Sequence, residues 1–227
     1  MSRNICELDL VGLDMEYESP YGCEVDLTNG EGQLLANMSK GRKAAIRQAA
    51  RNGVIIEEAA DAGFADDYYT QLRDVFAKQN LAPTYDAERV RALIKWVHPT
   101  GNLLLLRARE PNGTCIATGI FPAFNDTAHF WGGASWRRFH ILRPNDLLMW
   151  HALLYWKRRG MKRFDMEGGG DYKRKYGTSE IRVPWIRIPK HRAILHLRNT
   201  ARQLRDIYRR TRGLLIPSAS GGKGKDV

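Results

Sequence analysis

The sequence predicts an α+β fold in which mostly antiparallel strands form the centre and helices surround them. Three strand-like runs follow one another at 102–109, 115–124 and 127–135, and the hairpin-turn pair Asn112-Gly113 joins the first two. Amphipathic helical patterns lie on both sides of this block in the sequence. The 227 residues, 43% hydrophobic and 27% charged, are enough for one large domain or two small ones.

Alternation and capping predict the elements of the N-terminal quarter. Residues 5–18 and 22–28 alternate between apolar and polar side chains as strands do, and a short helix is expected in the segment NGEGQLLANM. Ser39 is a typical N-cap residue, and Gly53 can adopt the left-handed conformation that ends helices. The spacing therefore predicts a helix over 40–51.

The rest of the chain alternates helices with strands. A strand is predicted in the segment VIIEE, and strands also follow at 162–166 and 181–188. Four further helices are predicted, at 64–79, 86–97, 146–159 and 193–211. The tail from residue 214 onward is rich in Gly, Ser and Lys, and we expect it to be disordered.

The sequence argues against a membrane span and a metal site. No apolar run approaches the ~18 residues of a span, and acids stand where a secretory leader needs an apolar stretch, so we expect a cytoplasmic protein. The cysteines share no metal-ligand spacing and are expected to be free thiols: Cys6, Cys23 and Cys115. Three histidines lie on different predicted elements and are not expected to share a metal: His129, His140 and His151.

The net charge of +11 is concentrated near the C-terminus. Residues 182–212 contain ten Lys or Arg and one acid, which leaves 26 bases and 24 acids in the rest of the chain. Localised positive charge suggests a polyanionic partner, such as RNA, DNA, a phosphate or an anionic membrane surface.

Two predicted helices carry basic residues along one edge. In the last helix five arginines recur every three or four residues beside an apolar stripe: Arg198, Arg202, Arg205, Arg209 and Arg212. This pattern favours a phosphate backbone, although a solvated face or a membrane-surface helix would also carry it. The helix over 40–51 stacks Lys43, Arg47 and Arg51 with no acid to relieve their repulsion, which indicates either a solvated basic face or a second anion-facing stripe.

The segment DMEGGGDYKRKYGTSE, residues 165–180, cannot be the interior of an ordinary strand or helix. Its three consecutive glycines allow backbone conformations and close approaches that a Cβ would forbid. Backbone N–H groups in such a turn, followed by lysine, suit a phosphate or a developing negative charge. The patterns GxxxxGK[ST] and GxGxxG are absent, so a tight surface turn explains the segment equally well.

Three segments occur in the order of one family's motifs. LLANMSKGRKAAIRQAARNGVIIEEA is similar to MSKxxRxxIRKAxxxGV, and DYKRKYGTS is similar to xFKxxFG. Between them, FWGGASWRRFHILRPNDLLMWHALLYWKRRGMKRFDMEGGG is similar to YxGAS…LxPNxLLxWxAIxxAxxxGxxxFDxGG. The chain thus resembles the Fem-type (FemABX) aminoacyltransferases and BioF2-like acetyltransferases. The resemblance implies a GNAT fold and N-acyl transfer, best understood in the family as transfer of an amino acid from aminoacyl-tRNA to an amine of a peptidoglycan precursor.

The resemblance also implies a domain organisation. Family members usually carry two GNAT-like domains, and this chain resembles the second of them. We expect a remnant or lead-in strand over 1–21, a transferase domain over 22–190, a basic helix over 191–213 and a disordered tail over 214–227. The other domain contributes to acceptor binding in the family, and a second copy of this chain or another protein is a candidate to replace it.

The position of the site is implied in the same way. Lys173 matches the lysine of the FK motif and Tyr172 the aromatic residue before it, at the aminoacyl-donor end of family members. Lys173 could donate to the tetrahedral oxyanion or to the departing ribose, and Asp165 or Glu167 could orient the amine or accept its proton. A structural acid at a strand end is the alternative for Asp165. The other expected substrate contacts are Trp131, Ser135, Arg143, Asn145, Gly168, Gly169, Lys175 and Tyr176.

Three functions remain open at this level. The favoured function uses aminoacyl-tRNA as donor and a peptidoglycan precursor, small peptide or metabolite as the amine acceptor, with no permanently bound cofactor. An acetyl-CoA enzyme would need an [RQ]xxGx[GA] loop that holds pyrophosphate before the helix at 146–159, and the sequence lacks that loop. The third function is a non-catalytic, RNA-binding half-protein.

The basic edge of the last predicted helix leads to a test. Replacing Arg202, Arg205 and Arg209 together with Ala should weaken tRNA binding and make its salt dependence less steep, because each lost phosphate contact removes roughly one unit of the log–log slope. The measurement is a binding titration at several salt concentrations. An unaltered slope would contradict the assignment of this edge to RNA.

Overall fold

The computed structural model describes residues 16–188 and seven further positions between 193 and 204, all of which are helical. These residues form two compact units, one over 20–183 and a smaller one that includes 16–19 and 184–188. In the smaller unit, β1 (Glu16–Glu18) pairs antiparallel with β10 (Trp185–Arg187). The pocket and the glycine-rich turn discussed below lie in the larger unit.

The larger unit is built on one mixed sheet. Its strands lie side by side in the order β3 (Ile55–Glu58), β4 (Leu103–Arg109), β5 (Cys115–Phe124), β6 (Thr127–His129), β8 (Arg163–Asp165), β2 (Tyr21–Asp26) and β9 (Ser179–Arg182). An additional strand, β7 (Gly132–Ser135), also pairs with β5. Within this sheet β6 and β8 run parallel and the other pairs run antiparallel. The predicted α+β class is confirmed.

Helices cover the sheet on two sides. One buried cluster contains side chains of α1 (Glu31–Asn37), α2 (Lys40–Arg51) and α5 (Pro144–Arg158), and the other contains those of α3 (Phe64–Ala77) and α4 (Ala87–Trp96). The predicted start of α2 is confirmed, because the Ser39 hydroxyl caps it by accepting the Arg42 N–H at 3.3 Å.

Strand β4 separates these two clusters. Successive side chains of a strand point to opposite faces. Leu104 and Leu106 accordingly pack in the cluster with α5, while Leu103 and Leu105 pack in the cluster with α3. A strand buried on both faces reads as an unbroken apolar run, which explains the sequence LLLL. Arg107 continues the strand as a buried charge that is ion-paired to Glu57, Asp61 and Asp67.

The run predicted as one strand over 127–135 is divided into β6 and β7. Phe130 N–H donates to Asp165 O at 2.8 Å, and Trp131 N–H donates to Ile120 O at 3.1 Å. Successive N–H groups of a central strand normally point to its two neighbours in turn, so both bonds still belong to β6. The register with β5 then shifts by one residue, from Ala128–Ala123 to Gly132–Ile120, and β7 continues beside β5 after the pairing with β8 has ended. Apolar alternation predicts a strand but not its partner, which is why the sequence did not show this break.

Two other boundaries differ from the sequence prediction. The run at 181–188 is broken before Pro184, which lacks an N–H for a ladder, so that β9 pairs with β2 and β10 pairs with β1. The glycine-rich segment contains a short helix, α6 (Asp171–Arg174). The strand predicted over 5–18 and the helix predicted over 193–211 lie mostly outside the described residues.

Gly177 offers a test of the packing between the end of the glycine-rich segment and α1. Its φ is +75°, and a Cβ there would lie 2.8 Å from Asn37 Cβ and 2.9 Å from the Asn37 backbone. Gly177→Ala should lower the free energy of unfolding by about 2–4 kcal/mol, from left-handed strain plus a backbone clash.

The matched control is Gly160→Ala, since Gly160 has φ +83° and nothing within 4 Å of the built Cβ. That variant should lose about 1 kcal/mol of the free energy of unfolding, because it adds left-handed backbone strain but no clash. Urea unfolding of both variants gives the comparison. Equal losses would contradict the packing proposed at Gly177.

Candidate functional site

A pocket of about 280 Å³ lies between β7, the first half of α5 and α6. Its walls are mainly apolar, with a few polar groups. Val75 comes from α3 and Thr118 from β5, and the other lining residues are Phe130, Gly133, Ala134, Ser135, His140, Asn145, Leu148, Met149 and Tyr172. An apolar concavity with a few converging polar groups is the usual form of a small-ligand site.

The open edge of β7 contributes backbone groups to this pocket. Trp136 N–H donates to Ile116 O at 3.1 Å on the β5 side. Because backbone groups in an antiparallel ladder alternate in direction, the N–H groups of Gly133 and Ser135 face away from β5. Within residues 16–188 no strand pairs with that edge of β7. These groups are thus free to bind a carbonyl oxygen or an extended ligand chain.

Ser135 is the centre of a hydrogen-bonded group in the pocket. Its buried hydroxyl oxygen lies 2.9 Å from His140 Nε2 and accepts from Asn145 Nδ2 at 3.0 Å. Partial burial lowers the pKa of His140, and the positive charges of Arg137, Lys78 and Arg143 lower it further. The imidazole is therefore neutral near pH 7 and can accept the Ser135 proton.

An ion pair between α2 and α5 lies behind Tyr172, which lines the pocket. Arg42 of α2 binds the carboxylate of Asp146, which is buried in the first turn of α5. The Arg42 guanidinium also stacks 4.0 Å from the ring centroid of Tyr172 and 4.8 Å from that of Tyr176. Burial raises the pKa of Tyr176, so its hydroxyl stays protonated and donates to Asp146 Oδ1 at 3.4 Å.

The glycine-rich turn after β8 holds Lys173. Lys173 Nζ donates to the backbone O of Glu167, a residue with φ +56°. Burial lowers the pKa of Lys173, while the charges of Glu167 and Asp165 act to raise it. Asp165 itself is buried, and its Oδ1 accepts the Glu167 N–H at 2.8 Å. The turn thus places an ammonium group among backbone carbonyls and carboxylates.

His129 lies beside the same turn. Its Nδ1 is 2.9 Å from Glu167 Oε1, and one ligand atom from each of His129, Asp165 and Glu167 lies within 4.8 Å of the others. The positive charge of Lys173 interacts with both carboxylates and would compete with a metal cation there. Phe130 follows His129, lines the pocket and bonds to Asp165 O, and Tyr172, which precedes Lys173, also lines the pocket, so the turn adjoins the pocket.

The residues expected to contact substrate divide into those at the pocket and those away from it. Ser135, Asn145 and Tyr172 line the pocket. Trp131 instead packs on Tyr85 in the α3 cluster, with ring centroids 5.1 Å apart. The remaining expected residues stand outside the lining: Arg143 is the exposed N-cap of α5, Gly168 and Gly169 belong to the turn, Lys175 is exposed, and Tyr176 is buried behind Tyr172.

The residues expected to contact RNA are only partly described. On α2, Lys43 Nζ donates to Ala36 O at 3.2 Å, and Arg47 and Arg51 are exposed. Arg198 occupies a helical position. The other four members of the basic edge lie outside the described residues: Arg202, Arg205, Arg209 and Arg212.

Three residues of the site were not identified from the sequence. His140 was considered only as a metal ligand, although Ser135, His140 and Asn145 are spaced five apart. Arg42 and Asp146 are separated by 104 positions, and no local pattern links them. In the sequence, the only indication that these three residues belong to the site was that they lie inside the segments that resemble the family motifs.

Residues 36–176, more than half of the chain, match the family model of the acetyltransferase (GNAT) domain. The chain belongs to this family. Its fold is similar to that of FemX, at 12% identity and a TM-score of 0.68 over 76% of this chain and 65% of that one. It is also similar to L-PGS from Bacillus licheniformis, at 13% identity and a TM-score of 0.56 over 79% and 63%.

A third similar structure is the C-terminal DUF2156 domain from an Agrobacterium fabrum protein described as a lysylphosphatidylglycerol synthetase. The identity is 14% and the TM-score 0.54, over 82% of this chain and 66% of that one. At these identities the likeness shows the fold alone, and this chain spans less than two thirds of each of the three structures. A search of curated proteins found no significant match.

These findings confirm the GNAT fold that the sequence predicted. The pocket is built on three elements: strands β7 and β8, which diverge, and helix α5, which connects them. Within the described residues, no helix combines the length and apolar character of a membrane span.

The Arg42–Asp146 pair gives a test of how the pocket wall is held. Arg42→Met should lower the free energy of unfolding by roughly 3–5 kcal/mol, because it leaves the Asp146 carboxylate buried without its partner. Arg47→Met, on the same helix but exposed, should change it by no more than about 0.5 kcal/mol. Urea unfolding measures both, and a similar small change in the two variants would show that the pair contributes little.

Proposed function

We propose that the protein is an N-acyltransferase that forms an amide by moving an aminoacyl group from aminoacyl-tRNA to an amine. The observation that carries the choice of donor is the structure at the N-terminus of α5. Acetyl-CoA enzymes of this fold are expected to bind pyrophosphate there, where helix N–H groups and the helix dipole attract an anion.

In this chain an acidic side chain lies in the first turn of that helix. Asp146 lies in the first turn of α5, where the positive end of the helix dipole stabilises it, and Arg42 neutralises its charge. The preceding segment Arg137–Leu142 is a 3-10 helix without glycine, unlike the loop that grips pyrophosphate. A pyrophosphate at this end would meet the buried carboxylate of Asp146. This favours a donor that has no pyrophosphate.

The pocket has the features that an aminoacyl ester needs. Phe130, Leu148 and Met149 provide apolar walls for the aminoacyl side chain. The N–H groups on the open edge of β7 can donate hydrogen bonds to the ester carbonyl oxygen and to the oxyanion that develops from it. The ester itself would enter beside Tyr172, the residue that precedes Lys173.

Lys173 is proposed to stabilise negative charge during transfer. Its ammonium lies in the turn, bonded to Glu167 O, and the residue before it, Tyr172, lines the pocket. A rearrangement of the turn would direct the ammonium at the oxyanion or at the departing ribose oxygen. The acceptor is an amine of a peptidoglycan precursor, a small peptide or a metabolite. The basic residues of α2 and of the predicted C-terminal helix would bind the tRNA backbone.

Acyl-CoA is the second candidate donor, and one observation favours it. The matching family model is described as an acetyltransferase domain. Under this alternative the same pocket would hold the acyl group and the open edge of β7 would bind the extended arm of the cofactor. Titration calorimetry separates the two: micromolar binding of acetyl-CoA would support the second donor, and no binding would support the first.

The decisive experiment is transfer of label. The protein is incubated with radiolabelled aminoacyl-tRNA and candidate amines, and the product is tested for label that mild base no longer releases, since amides survive conditions that cleave aminoacyl esters. Stable label with tRNA as donor supports the proposal. Stable label obtained only from labelled acetyl-CoA would show that the donor is acyl-CoA and not aminoacyl-tRNA.

The role of Lys173 gives a further prediction. Lys173→Ala should raise the barrier to transfer by roughly 2–4 kcal/mol, because it removes a charge that stabilises the oxyanion or leaving group. Lys175→Ala is the control, since Lys175 is exposed two positions away in the same segment. Single-turnover transfer rates, with urea unfolding to verify the fold, give the answer. Unchanged rates and unchanged RNA affinity in the Lys173 variant would favour a non-catalytic RNA-binding protein.

A further inference from the structure

Amide formation from an ester requires a proton to be moved. The amine nitrogen attacks the carbonyl carbon, a C–N bond forms, and the nitrogen of the tetrahedral adduct carries one proton too many. The C–O bond then breaks, and the departing ribose oxygen needs a proton. A group that takes the first proton and returns it to the oxygen balances the reaction without another reactant.

Ser135 and His140 have the geometry of such a group. The Ser135 hydroxyl oxygen accepts from Asn145 Nδ2 at 3.0 Å, so its own proton is directed at His140 Nε2, 2.9 Å away. A hydroxyl oxygen has a second lone pair, which stays available to accept an N–H from the pocket. Both Ser135 and His140 line the pocket, so both can meet a substrate bound there.

The other acids and bases near the pocket are less suited to this task. Asp165 and Glu167 do not line it, and each already accepts a hydrogen bond or contacts His129 in the adjoining turn. Lys173 is a donor to Glu167 O. Tyr172 does line the pocket, but burial raises the pKa of its hydroxyl, which makes it a poor proton acceptor near neutral pH.

The charges around His140 keep it in the form that accepts a proton. Lys78 at the end of α3, Arg137 in the 3-10 segment and Arg143 at the α5 N-cap all act to lower its pKa, in addition to burial. Lys78 is itself paired with Asp74, and Tyr172 is the titratable group across the pocket. A cation-rich surrounding disfavours the imidazolium, so the imidazole is neutral through the physiological range.

We infer that Ser135 and His140 are the proton-transfer pair of the acyl-transfer reaction. The attacking amine gives its proton to Ser135 Oγ while the Ser135 hydroxyl gives its own to His140 Nε2, and the return of that proton protonates the departing oxygen. This inference rests on the proposed acyl transfer but does not depend on which donor is used.

The test compares His140→Gln, Ser135→Ala and the double variant with the unaltered protein. Glutamine can still accept the Ser135 hydrogen bond but cannot titrate. Transfer should therefore fall by roughly 100- to 10,000-fold in each single variant, with little further loss in the double variant, because the two residues act as one unit. The unaltered protein should lose activity as pH falls through the lowered pKa of His140, and His140→Gln should lose that acid limb.

His151→Gln is the matched control. His151 is half-buried on α5, lies 3.5 Å from Glu58 through Nε2, and lines a different cavity with Arg158 and Arg159. Its variant should keep both the rate and the pH profile. Nitrogen-15 NMR of the histidine rings provides a readout without turnover: the neutral His140 ring should carry its proton on Nδ1, and Ser135→Ala should alter the Nε2 shift.

Three outcomes would overturn the inference. A rate within threefold of the unaltered protein in His140→Gln, with the acid limb retained, would remove His140 from proton transfer. An acyl group found on Ser135 by mass spectrometry after incubation with donor alone would make it a nucleophile instead. If the protein transfers no group from either aminoacyl-tRNA or acetyl-CoA, both the inference and the proposed function are overturned. If it transfers a group from acetyl-CoA alone, only the proposed donor is overturned, and the Ser135 and His140 variants can then be tested with acetyl-CoA.

Discussion

The site depends on the point at which β7 parts from β8. Phe130 N–H still bonds to Asp165 O of β8, whereas the register with β5 shifts by one residue between Ala128 and Gly132. β6 thus lies beside β8, while β7 follows β5 and leaves its own outer edge without a strand partner in the segment 16–188. The pocket, its free N–H groups and the position of Ser135 all follow from this divergence. A continuous strand over 127–135 would have closed the sheet and left no cavity.

The opposite wall is held by charge rather than by apolar packing alone. Arg42 joins α2 to α5 through Asp146 and supports Tyr172 and Tyr176 through its guanidinium plane. The acid of this pair lies in the first turn of α5. The same interaction therefore holds two helices together and is the basis of the proposed choice of donor.

The two polar centres near the pocket are proposed to have opposite tasks, and their surroundings differ accordingly. In the proposed reaction Lys173 is positive and stabilises an oxyanion, and the carboxylates of Asp165 and Glu167 oppose the effect of burial on its pKa. His140 is neutral in the same proposal and accepts a proton, and the positive charges of Lys78, Arg137 and Arg143 add to the effect of burial in lowering its pKa. Phe130 separates the centres, so a cation and a neutral base can work on one substrate without titrating each other.

The sequence by itself determined the local elements and the family. Ser39 predicted the start of α2, Asn112-Gly113 predicted the β4–β5 hairpin, and the order of three motifs predicted the GNAT fold, because caps, turns and alternation are properties of short segments. Ser135, Asn145 and Tyr172 were also among the residues expected at the site, and they line the pocket.

Only the tertiary structure decided which neighbours these elements meet. The break after Phe130 reflects a one-residue shift in the register with β5, which apolar alternation does not encode. The pairing of Arg42 with Asp146 spans 104 positions, and Trp131 turned toward the α3 cluster because side chains alternate along a strand whose register the sheet sets. Long-range pairing of charges and strands is fixed by packing in three dimensions, so it had no signature in any one segment of the sequence.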